Sequence, residues 1–526
     1  MKILIVNPKF PESLWGLNRI QPITGKPYVI PTLALPTVAA LTPPGHEVVL
    51  ADENVEEIDF DQPCDLVGIS LMHVQASRAF EIARAFRERG RTVVMGGALP
   101  TLSPEMCRPH ADVVFIGEAE RTWPRFIGEF ERGGWTDTYE ETERIDLTTT
   151  PVPRFDLLKM GRYFVQALQF SRGCPYECEF CDVAALQGRR QRTKTIPQIL
   201  AEVEEVHRLG GRWIFFVDDN FVGDRRKAKV VLAALRDWNA SNGYAMLFNT
   251  EASLNVAQDD ELLQLFHDAR FVRLFIGIET PRRECLEETG KHMNLHAPVL
   301  AQVHKIQSYG IQVTAGMIVG FDNDDATIFE EQLEFLQAAR IPQVMSGMLQ
   351  AVPRTPLWDR LEREGRLRGE CTGDHLVWTN VIPKKMSRGE LMLGYADLLR
   401  ELFDYDRYAE RTIAYLTAPR RMEPIQPRRR SWNEVRMILR FLVYCLFGGD
   451  AERARFARRI LWATVREKPG RLPEALYITV VHKHFYEYVT RCVDTIWETV
   501  ARGIDDGTPR ATAAAGAVEP ARPAAG

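Results

Sequence analysis

Residues 170–183 read FSRGCPYECEFCDV and carry three cysteines, Cys174, Cys178 and Cys181, in the spacing C-x3-C-x2-C. Thiolates are the protein ligands of iron–sulfur clusters, and four of them would fill a [4Fe–4S] cubane. Three close cysteines without an evident fourth would leave one iron open to another ligand. Structural zinc normally takes four protein ligands, and the nearest downstream histidine, His207, falls in a helical pattern. The spacing therefore favours an iron–sulfur cluster, with zinc or no metal as the alternative.

Short apolar runs alternate with amphipathic helical stretches on both sides of this loop. Six candidate strands span residues 164–170, 213–217, 245–249, 272–278, 312–319 and 343–349. Six βα units in succession predict a parallel barrel or part of one, since eight would close the usual barrel. Six would leave an open side that another domain could cover. The cysteines follow the first strand, at the end where barrel enzymes place their chemistry.

The N-terminal part of the chain shows the same alternation. Its apolar runs are residues 3–6, 48–51, 66–70, 92–95 and 113–116. They predict a doubly wound, flavodoxin-like α/β sheet. Several runs end in small or polar residues, and ligands of open α/β sheets bind at that edge. We therefore expect a cofactor site there, although glycine is also the ordinary choice in a βα turn.

These patterns divide the chain into five regions: a doubly wound domain (1–145), a linker (146–163), a partial barrel (164–360), a helical C-terminal region (361–505) and a disordered tail (506–526). Alanine, proline and glycine dominate the tail. The helical region is expected to be a capping subdomain with solvated charged faces. The alternative is a face for a partner or for a membrane surface.

The charge balance and the cysteine count limit the class of protein. The chain has 66 Lys and Arg against 71 Asp and Glu, a net charge of −5, which is unlike a general nucleic-acid binder. No apolar run reaches the ~20 residues of a membrane helix, and MKILIVNPKF lacks the features of a signal peptide. Nine cysteines, an odd number, argue against a disulfide framework. We expect a cytoplasmic protein without a transmembrane segment, in which peripheral membrane contact stays open.

The C-x3-C-x2-C loop after the first strand of a partial barrel resembles the radical S-adenosylmethionine superfamily. The resemblance covers about 164–360 and includes the aromatic residue before the last cysteine, Phe180. It implies that Cys174, Cys178 and Cys181 bind a [4Fe–4S] cluster whose open iron is chelated by the methionyl amine and carboxylate of S-adenosylmethionine. One electron from the cluster would then yield methionine and a 5′-deoxyadenosyl radical.

The resemblance also implies which side chains would contact S-adenosylmethionine. Asp218 and Asp219 stand where many relatives have a Gly-Gly-Glu run that holds the methionyl amine. Glu251 and Glu279 end the third and fourth strands and are candidates for ribose and amino contacts. The alternative is a structural role, in which these acids cap the amino termini of the helices that follow.

Two further stretches belong to this comparison. The stretch from Gly316 to Gly320 resembles the fifth strand, which binds adenine. The segment AVPRTPLW, 351–358, resembles a Pro-Gly-Thr-Pro turn in which Arg354 replaces the glycine.

The N-terminal domain resembles the cobalamin-binding domain of one large subclass. DLVGIS, VVMGGALPTLSPE and VVFIGEAE carry the resemblance. It implies that cobalamin would be lined by Asn7, Asp52, Glu53, Asn54, Ser70, Gly96, Gly97, Gly117 and Glu118. Many relatives place a histidine two residues after the aspartate, but this chain reads Asp52-Glu53-Asn54, so no histidine of this motif would bind cobalt. His73 lies in a different turn. The alternative is a purely structural domain without cobalamin.

The whole combination, with GRRQRTKT after the cysteines and VDDNFVGD after the second strand, resembles the branch that includes hopanoid methylases. It implies methyl transfer to an unactivated carbon of a lipid or natural product. The substrate would be a small molecule, and an apolar one is compatible with the resemblance. A flavodoxin or ferredoxin would serve as reductant, and no nucleic acid would be bound. The alternatives are a radical cyclase or rearrangement enzyme without methyl transfer, and an iron–sulfur binding or electron-transfer protein without turnover.

Overall fold

A computed structural model describes residues 1–425, 432–447 and 451–503. The predicted tail, 506–526, lies outside these residues. The described chain contains two six-stranded parallel sheets, one after the other, followed by a set of C-terminal helices. Among the described helices, none combines the length and the apolar composition needed to cross a bilayer.

The first sheet is parallel and doubly wound. Its strands are β1 (Lys2–Asn7), β2 (Glu47–Asp52), β3 (Leu66–Ser70), β4 (Thr92–Gly96), β5 (Val113–Ile116) and β6 (Thr138–Glu140). Its helices are α1 (Gln21–Thr24), α2 (Ala34–Leu41), α3 (Ala76–Glu88), α4 (Ala98–Leu102), α5 (Pro104–Cys107) and α6 (Thr122–Glu131). The spatial order β2-β1-β3-β4-β5-β6 is flavodoxin-like and reverses between β1 and β3, which is where such sheets bind ligands. The predicted fold of this region is confirmed.

Alternate residues of this sheet enter two different cores. In β1, Ile3 and Ile5 belong to the large core shared with the barrel, whereas Leu4 and Val6 pack with α3 in a smaller one. Both faces are covered, as parallel sheets require. The prediction missed β6, because a three-residue strand with one buried side chain, Tyr139, gives no alternating pattern.

The second sheet is the predicted partial barrel. Its strands are β7 (Gln166–Leu168), β10 (Trp213–Phe216), β11 (Leu247–Ala252), β12 (Phe271–Glu279), β13 (Gln312–Val319) and β14 (Val344–Met348), paired in this order. An antiparallel hairpin, β8 (Ser171–Arg172) and β9 (Arg192–Thr193), brackets the cysteines. The helices are α7 (Val183–Leu186), α8 (Ile196–Arg208), α9 (Arg225–Ser241), α10 (Asp260–Asp268), α11 (Arg283–Glu288), α12 (Val299–Ser308), α13 (Ile328–Ala338) and α14 (Pro356–Arg363). All six predicted strands are present.

The C-terminal helices pack against the barrel and against the first sheet. They are α15 (Arg388–Phe403), α16 (Tyr405–Thr417), α17 (Trp432–Phe447), α18 (Ala451–Glu467) and α19 (Leu472–Ala501). Near the start of α19, the ring of Tyr477 stacks on Phe164, before β7, and lies 5.9 Å from the ring of Trp213 in β10. Two turns later, Phe485 contacts Trp15, from the loop after β1, at 6.3 Å. Helix α19 therefore joins both sheets in one core.

Candidate functional site

The loop between β8 and β9 holds the three cysteines at the carboxyl end of the barrel. Gly173 opens the loop with φ of 93°, and a Cβ there would lie 2.8 Å from the carbonyl oxygens of Gly188 and Arg190. Only glycine fits this position without strain. The loop closes on itself because the Cys174 N–H donates to the Gly188 carbonyl (3.3 Å) and the Cys181 N–H to the Cys178 carbonyl (3.1 Å).

The three thiols share one half-buried environment. Burial raises the pKa of Cys174 and Cys178, and raises that of Cys181 to about 12. Metal binding removes such protons, because the thiolate is the ligand. In the described chain, no group of three His, Cys, Asp or Glu side chains converges on a single ion. A [4Fe–4S] cluster does not require three ligands around one ion, because each thiolate binds a different iron.

Asp218 and Asp219 follow β10 and both support the cysteine loop. Asp218 is buried and accepts hydrogen bonds from the N–H of Phe170 (3.1 Å), the N–H of Ser171 and the Ser171 hydroxyl (2.5 Å). Burial raises the pKa of Asp218 to about 7. Asp219 accepts from the Gly173 N–H at 2.7 Å. Asp218 is thus saturated by donors of the chain, whereas Asp219 keeps one oxygen without a hydrogen bond from any described residue.

Glu251 lies at the end of β11 beside these acids. It is half-buried, and no described residue donates a hydrogen bond to its carboxylate. Burial, together with the charges of Asp219, Asp218 and Glu279, raises the pKa of Glu251 to about 8. A carboxylate left without donors in such a place is costly. A ligand bearing ammonium or hydroxyl donors would remove that cost.

Glu279, at the end of β12, is paired with a lysine that the sequence prediction missed. It has φ of 68° and follows an irregularity in the pairing of β12 with β13. Its carboxylate forms an ion pair with Lys291, whose ammonium lies 5.8 Å above the ring of Phe180. Burial alone would lower the pKa of Lys291, but the charges of Glu279 and Cys178 outweigh it and raise that pKa. Lys291 therefore joins the predicted residues around the cysteines.

The two predicted glycines of the fifth strand have packing reasons of their own. A Cβ on Gly316 would lie 3.0 Å from the ring of Phe275, inside the barrel. Gly320 has φ of 106°, and its N–H donates to Asp324 at 2.8 Å. Arg354, in place of the expected glycine, adopts the left-handed conformation itself (φ 66°). The turn is thus retained, and Thr355 caps α14 through the N–H of Trp358.

Three of the residues predicted at the edge of the first sheet form one buried network. Asn7 donates to Asp52 at 3.0 Å, and the side chain of Asn54 donates to the same oxygen at 2.7 Å. The other oxygen of Asp52 accepts from the hydroxyl of Tyr163 at 2.8 Å. Tyr163, outside the predicted set, thus ties the linker to the end of β2. Asp52 is held by side chains of the chain itself.

Glu53 and Glu118 point in different directions from that network. Glu53 pairs with Arg78 of α3 on the outer side of the sheet. Glu118 follows β5 of the first sheet, and its carboxylate reaches the barrel domain. There it pairs with Arg172 of β8 (2.6 Å) and Arg192 of β9 (2.9 Å). Burial would raise the pKa of Glu118, but the two arginines outweigh it and lower that pKa. The structure therefore connects Glu118 to the cysteine hairpin.

Backbone conformation accounts for two of the glycines at this edge. Gly97 (φ 113°) and Gly117 (φ 87°) would bring a Cβ to 2.7 Å from the Leu71 carbonyl and 2.8 Å from the Glu141 carbonyl. Gly96 and Ser70 are neighbours in the pairing of β3 with β4. All four lie at the carboxyl edge of the sheet, as predicted.

His73 and the segment around Gly373 meet at the same edge. The Nε2 atom of His73 is buried and has no hydrogen-bond partner among the described residues. A Cβ on Gly373 would lie 3.3 Å from the Cβ of His73. His375, two residues later, likewise keeps a buried Nε2 without a partner in the described chain. The imidazole of His73 thus lies where the C-terminal region reaches the first sheet, whereas that of His375 lies against Gly347 of β14 in the barrel.

An apolar wall of aromatic side chains and a methionine lines the inside of the barrel. Trp15 reaches in from the loop after β1, packs edge-on against Phe275 of β12 at 5.9 Å and contacts the sulfur of Met345 in β14. Phe485 of α19 packs against the other side of Trp15. Three separate regions of the chain therefore build this wall, which sequence patterns do not reveal.

Comparison with known proteins identifies the family. The B12 binding domain matches residues 26–127, the Radical SAM superfamily matches 168–336, and a domain of unknown function (DUF4070) matches 355–498. An uncharacterized methyltransferase of Synechocystis sp. is 38% identical over 78% of each chain. The hopanoid C-2 methylase of Rhodopseudomonas palustris is 32% identical over 93% of each chain. This chain is a cobalamin-binding radical S-adenosylmethionine enzyme.

Within that family, this radical S-adenosylmethionine enzyme belongs to the branch that includes the hopanoid methylases. The fold is also that of the radical S-adenosylmethionine methyltransferase TsrM from Kitasatospora setae, solved with cobalamin and a [4Fe–4S] cluster. The TM-score is 0.62 at 14% identity, over 89% of this chain and 99% of TsrM. The predicted cofactors, a [4Fe–4S] cluster, S-adenosylmethionine and cobalamin, are confirmed by the family.

The residues of this radical S-adenosylmethionine enzyme fit those groups. The cysteine loop offers three thiols and no fourth side chain of the predicted set, and Glu251 offers a carboxylate that lacks donors. At the edge of the first sheet, the His73 nitrogen without a partner marks a polar site beside the reversal between β1 and β3. Asp52, in contrast, is occupied by hydrogen bonds from Asn7, Asn54 and Tyr163.

Proposed function

We propose that this enzyme transfers a methyl group from S-adenosylmethionine to an unactivated carbon of a lipid or other apolar natural product. The observation that carries the proposal is the apolar wall of Trp15, Phe275 and Met345 inside the barrel, whose strands end at the acids beside the cysteine loop. Such a wall suits a substrate without polar groups at the reacting carbon. The relatedness to a hopanoid C-2 methylase supports the same class of substrate.

The bound cofactors supply hydrogen abstraction, from the cluster with S-adenosylmethionine, and a methyl group, from cobalamin. In this proposal Cys174, Cys178 and Cys181 hold the cluster and leave one iron free. Asp219 and Glu251 accept hydrogen bonds from the donors of S-adenosylmethionine, because each has carboxylate oxygens that no described residue uses.

Glu279 acts with Lys291 and Phe180 in this proposal. The ion pair holds the left-handed end of β12 in place, and Phe180 packs 6.0 Å from Phe321 after β13. The apolar wall and the two aromatic rings exclude water from the reacting atoms. A flavodoxin or ferredoxin in the cytoplasm would deliver the electron.

The test uses anaerobically reconstituted, reduced enzyme, cobalamin, a hopanoid and S-adenosylmethionine labelled in its methyl group. We expect 5′-deoxyadenosine and a product in which the labelled methyl carbon is bonded to a carbon of the substrate. Mass spectrometry measures both. Cys178→Ala should lose the iron–sulfur absorption and both products, because two thiolates cannot hold the cluster. Cys445→Ala, a buried cysteine of α17, is the control and should keep all three signals.

Two outcomes would contradict the proposal. Formation of 5′-deoxyadenosine with an altered but unlabelled product would indicate a cyclase or rearrangement enzyme. Intact iron–sulfur absorption without any 5′-deoxyadenosine would indicate a binding or electron-transfer protein.

A further inference from the structure

Helix α17 carries apolar side chains on two opposite faces. One face packs into the core through Phe441 and Cys445, which are 3% and 1% exposed. The other face is open to solvent and is called here the outer stripe. Its members, 40–81% exposed, are Trp432, Leu439, Val443, Leu446 and Phe447. Because these positions are separated by 7, 4, 3 and 1 residues, they lie along one side of the helix.

The outer stripe is unusual for a protein surface. A helix that is apolar on all sides is normally buried, and a contiguous exposed apolar patch marks an interaction site. On the neighbouring helix α18, which packs against α17, Trp462 is 71% exposed and Val465 is 49% exposed. Two exposed tryptophans thus belong to adjacent helices of the region matched by the domain of unknown function.

The segment that carries the outer stripe is rich in basic residues. Residues 428–471 contain twelve Lys and Arg and four Asp and Glu, a net charge of +8, whereas the whole chain carries −5. Several of these arginines are available to an external partner, because they form no ion pair with any residue that the structure describes. They are Arg436, Arg440, Arg455 and Arg466. Arg436 and Arg440 lie on α17 itself.

We propose that α17 and α18 dock this enzyme on the surface of an anionic lipid bilayer, with the outer stripe and Trp462 in the interface. Helices that lie in a membrane interface combine tryptophan, phenylalanine and leucine on one face with flanking basic residues. Tryptophan is enriched at that depth because its ring is apolar and its N–H is polar. The proposal concerns binding alone and does not rest on the proposed reaction.

Charge and chemistry favour the bilayer over other occupants. A second copy of this chain would bring two segments of net charge +8 together, which like-charge repulsion opposes. A nucleic acid would use the arginines but would leave the outer stripe in water. An anionic bilayer satisfies both features, since its headgroups attract the arginines and its acyl boundary receives the apolar side chains.

Vesicle flotation of the reconstituted full-length holoenzyme tests the proposal, with phosphatidylcholine vesicles and with phosphatidylcholine–phosphatidylglycerol vesicles. We expect binding to the anionic vesicles that weakens at high salt. Val443→Ser should lower the partition coefficient about tenfold, because the isopropyl group no longer enters the apolar boundary. Arg436→Gln should lower it about fivefold, the contribution of one basic residue near a charged surface.

The matched control is Val230→Ser, on α9 of the barrel. Val230 is 58% exposed and Val443 is 56% exposed, so the two substitutions remove the same group from equally open helical positions. Val230→Ser should leave partitioning unchanged. Far-UV circular dichroism and 5′-deoxyadenosine formation should be equal for both variants, which separates loss of docking from loss of fold or of chemistry.

Three results would overturn the proposal. The first is equal partitioning of the Val443→Ser and Val230→Ser variants. The second is binding that does not depend on phosphatidylglycerol. The third is a dimer in sedimentation velocity that Val443→Ser converts to a monomer, because the outer stripe would then belong to a second copy of the chain.

Discussion

At the scale of single residues, Glu251 is the acid whose ionisation depends most on a ligand. Burial and neighbouring carboxylates raise its pKa to about 8 in the protein without ligands. The folded state therefore holds a proton between about pH 4.5 and pH 8 that the unfolded state has released. Stability contributed by the neutral carboxyl is complete below pH 4.5 and falls as the pH rises towards 8.

Glu251→Gln should remove that dependence, because the amide has the same shape and no proton to lose. We expect the melting temperature of the cluster-free variant to equal that of the wild type near pH 4.5 and to exceed it above pH 8. Differential scanning calorimetry across this range measures the difference. A difference that is constant with pH would contradict the assignment of the raised pKa to Glu251.

The residue scale also separates what the sequence could predict from what it could not. Cys174, Cys178 and Cys181 are recognisable because their spacing within one loop carries the chemistry. Trp15 and Lys291 gave no such signal. Trp15 meets Met345 across 330 positions of the chain, and Lys291 becomes a site residue only through the ion pair that it forms with Glu279.

At the scale of elements, the hairpin of β8 and β9 is anchored to the first sheet by Glu118. The side chain of Glu118 is 6% exposed, and its partners Arg172 and Arg192 are 13% and 12% exposed. Glu118→Gln would remove the carboxylate partner of the nearly buried Arg192 and one of the two partners of Arg172, which keeps Glu120. Breaking a buried pair in this way costs about 3–5 kcal/mol, which urea unfolding at pH 7 should detect.

Glu143→Gln is the control for that substitution. Glu143 pairs with Arg121, but the two side chains are 77% and 51% exposed. Exposed pairs contribute about 0–1 kcal/mol, so this variant should unfold almost as the wild type does. An equally small effect for Glu118→Gln would mean that the hairpin does not depend on the first sheet.

Elements were predictable where their pattern was long. The strands of residues 66–70, 113–116 and 312–319 were predicted with the bounds that the structure has, because each is a continuous apolar run between turn residues. That Glu118 lines cobalamin stays a prediction. In the structure its carboxylate forms ion pairs with Arg172 and Arg192. Sequence periodicity places a side chain on an element and does not identify its partner.

At the scale of the whole molecule, α19 packs against the barrel, the loop after β1 and helix α15 in one core. The hydroxyl of Tyr477 accepts a hydrogen bond from Arg273 of β12 at 3.2 Å, and Phe485 packs on Trp15 and Phe403. A chain that ends at Arg471 would expose these contacts and the apolar faces of α15 and α18. We expect it to bind the dye ANS and to lose its near-ultraviolet circular dichroism.

Tyr477→Phe in the full chain is the matched control for the truncation. It removes one hydrogen bond, worth about 1 kcal/mol, and keeps the ring that packs on Phe164. This variant should unfold cooperatively and should not bind ANS. Cooperative unfolding of the truncated chain would show that the two sheets are stable without α19. The sequence predicted a helical region after the barrel, but it could not predict that α19 packs on Trp15 and Trp213, which lie far from it in the chain.

Because Phe485, on a helix from the far end of the chain, packs on Trp15, the apolar wall can be reshaped without altering the cysteine loop or the strands that end in the acids. A larger or smaller side chain at position 485 would change how much room Trp15 has, while every strand-to-strand hydrogen bond stays as it is. Under the proposed function, substrates of other sizes can therefore be sought by substitutions in this single helix, with the cofactor-binding residues left unchanged.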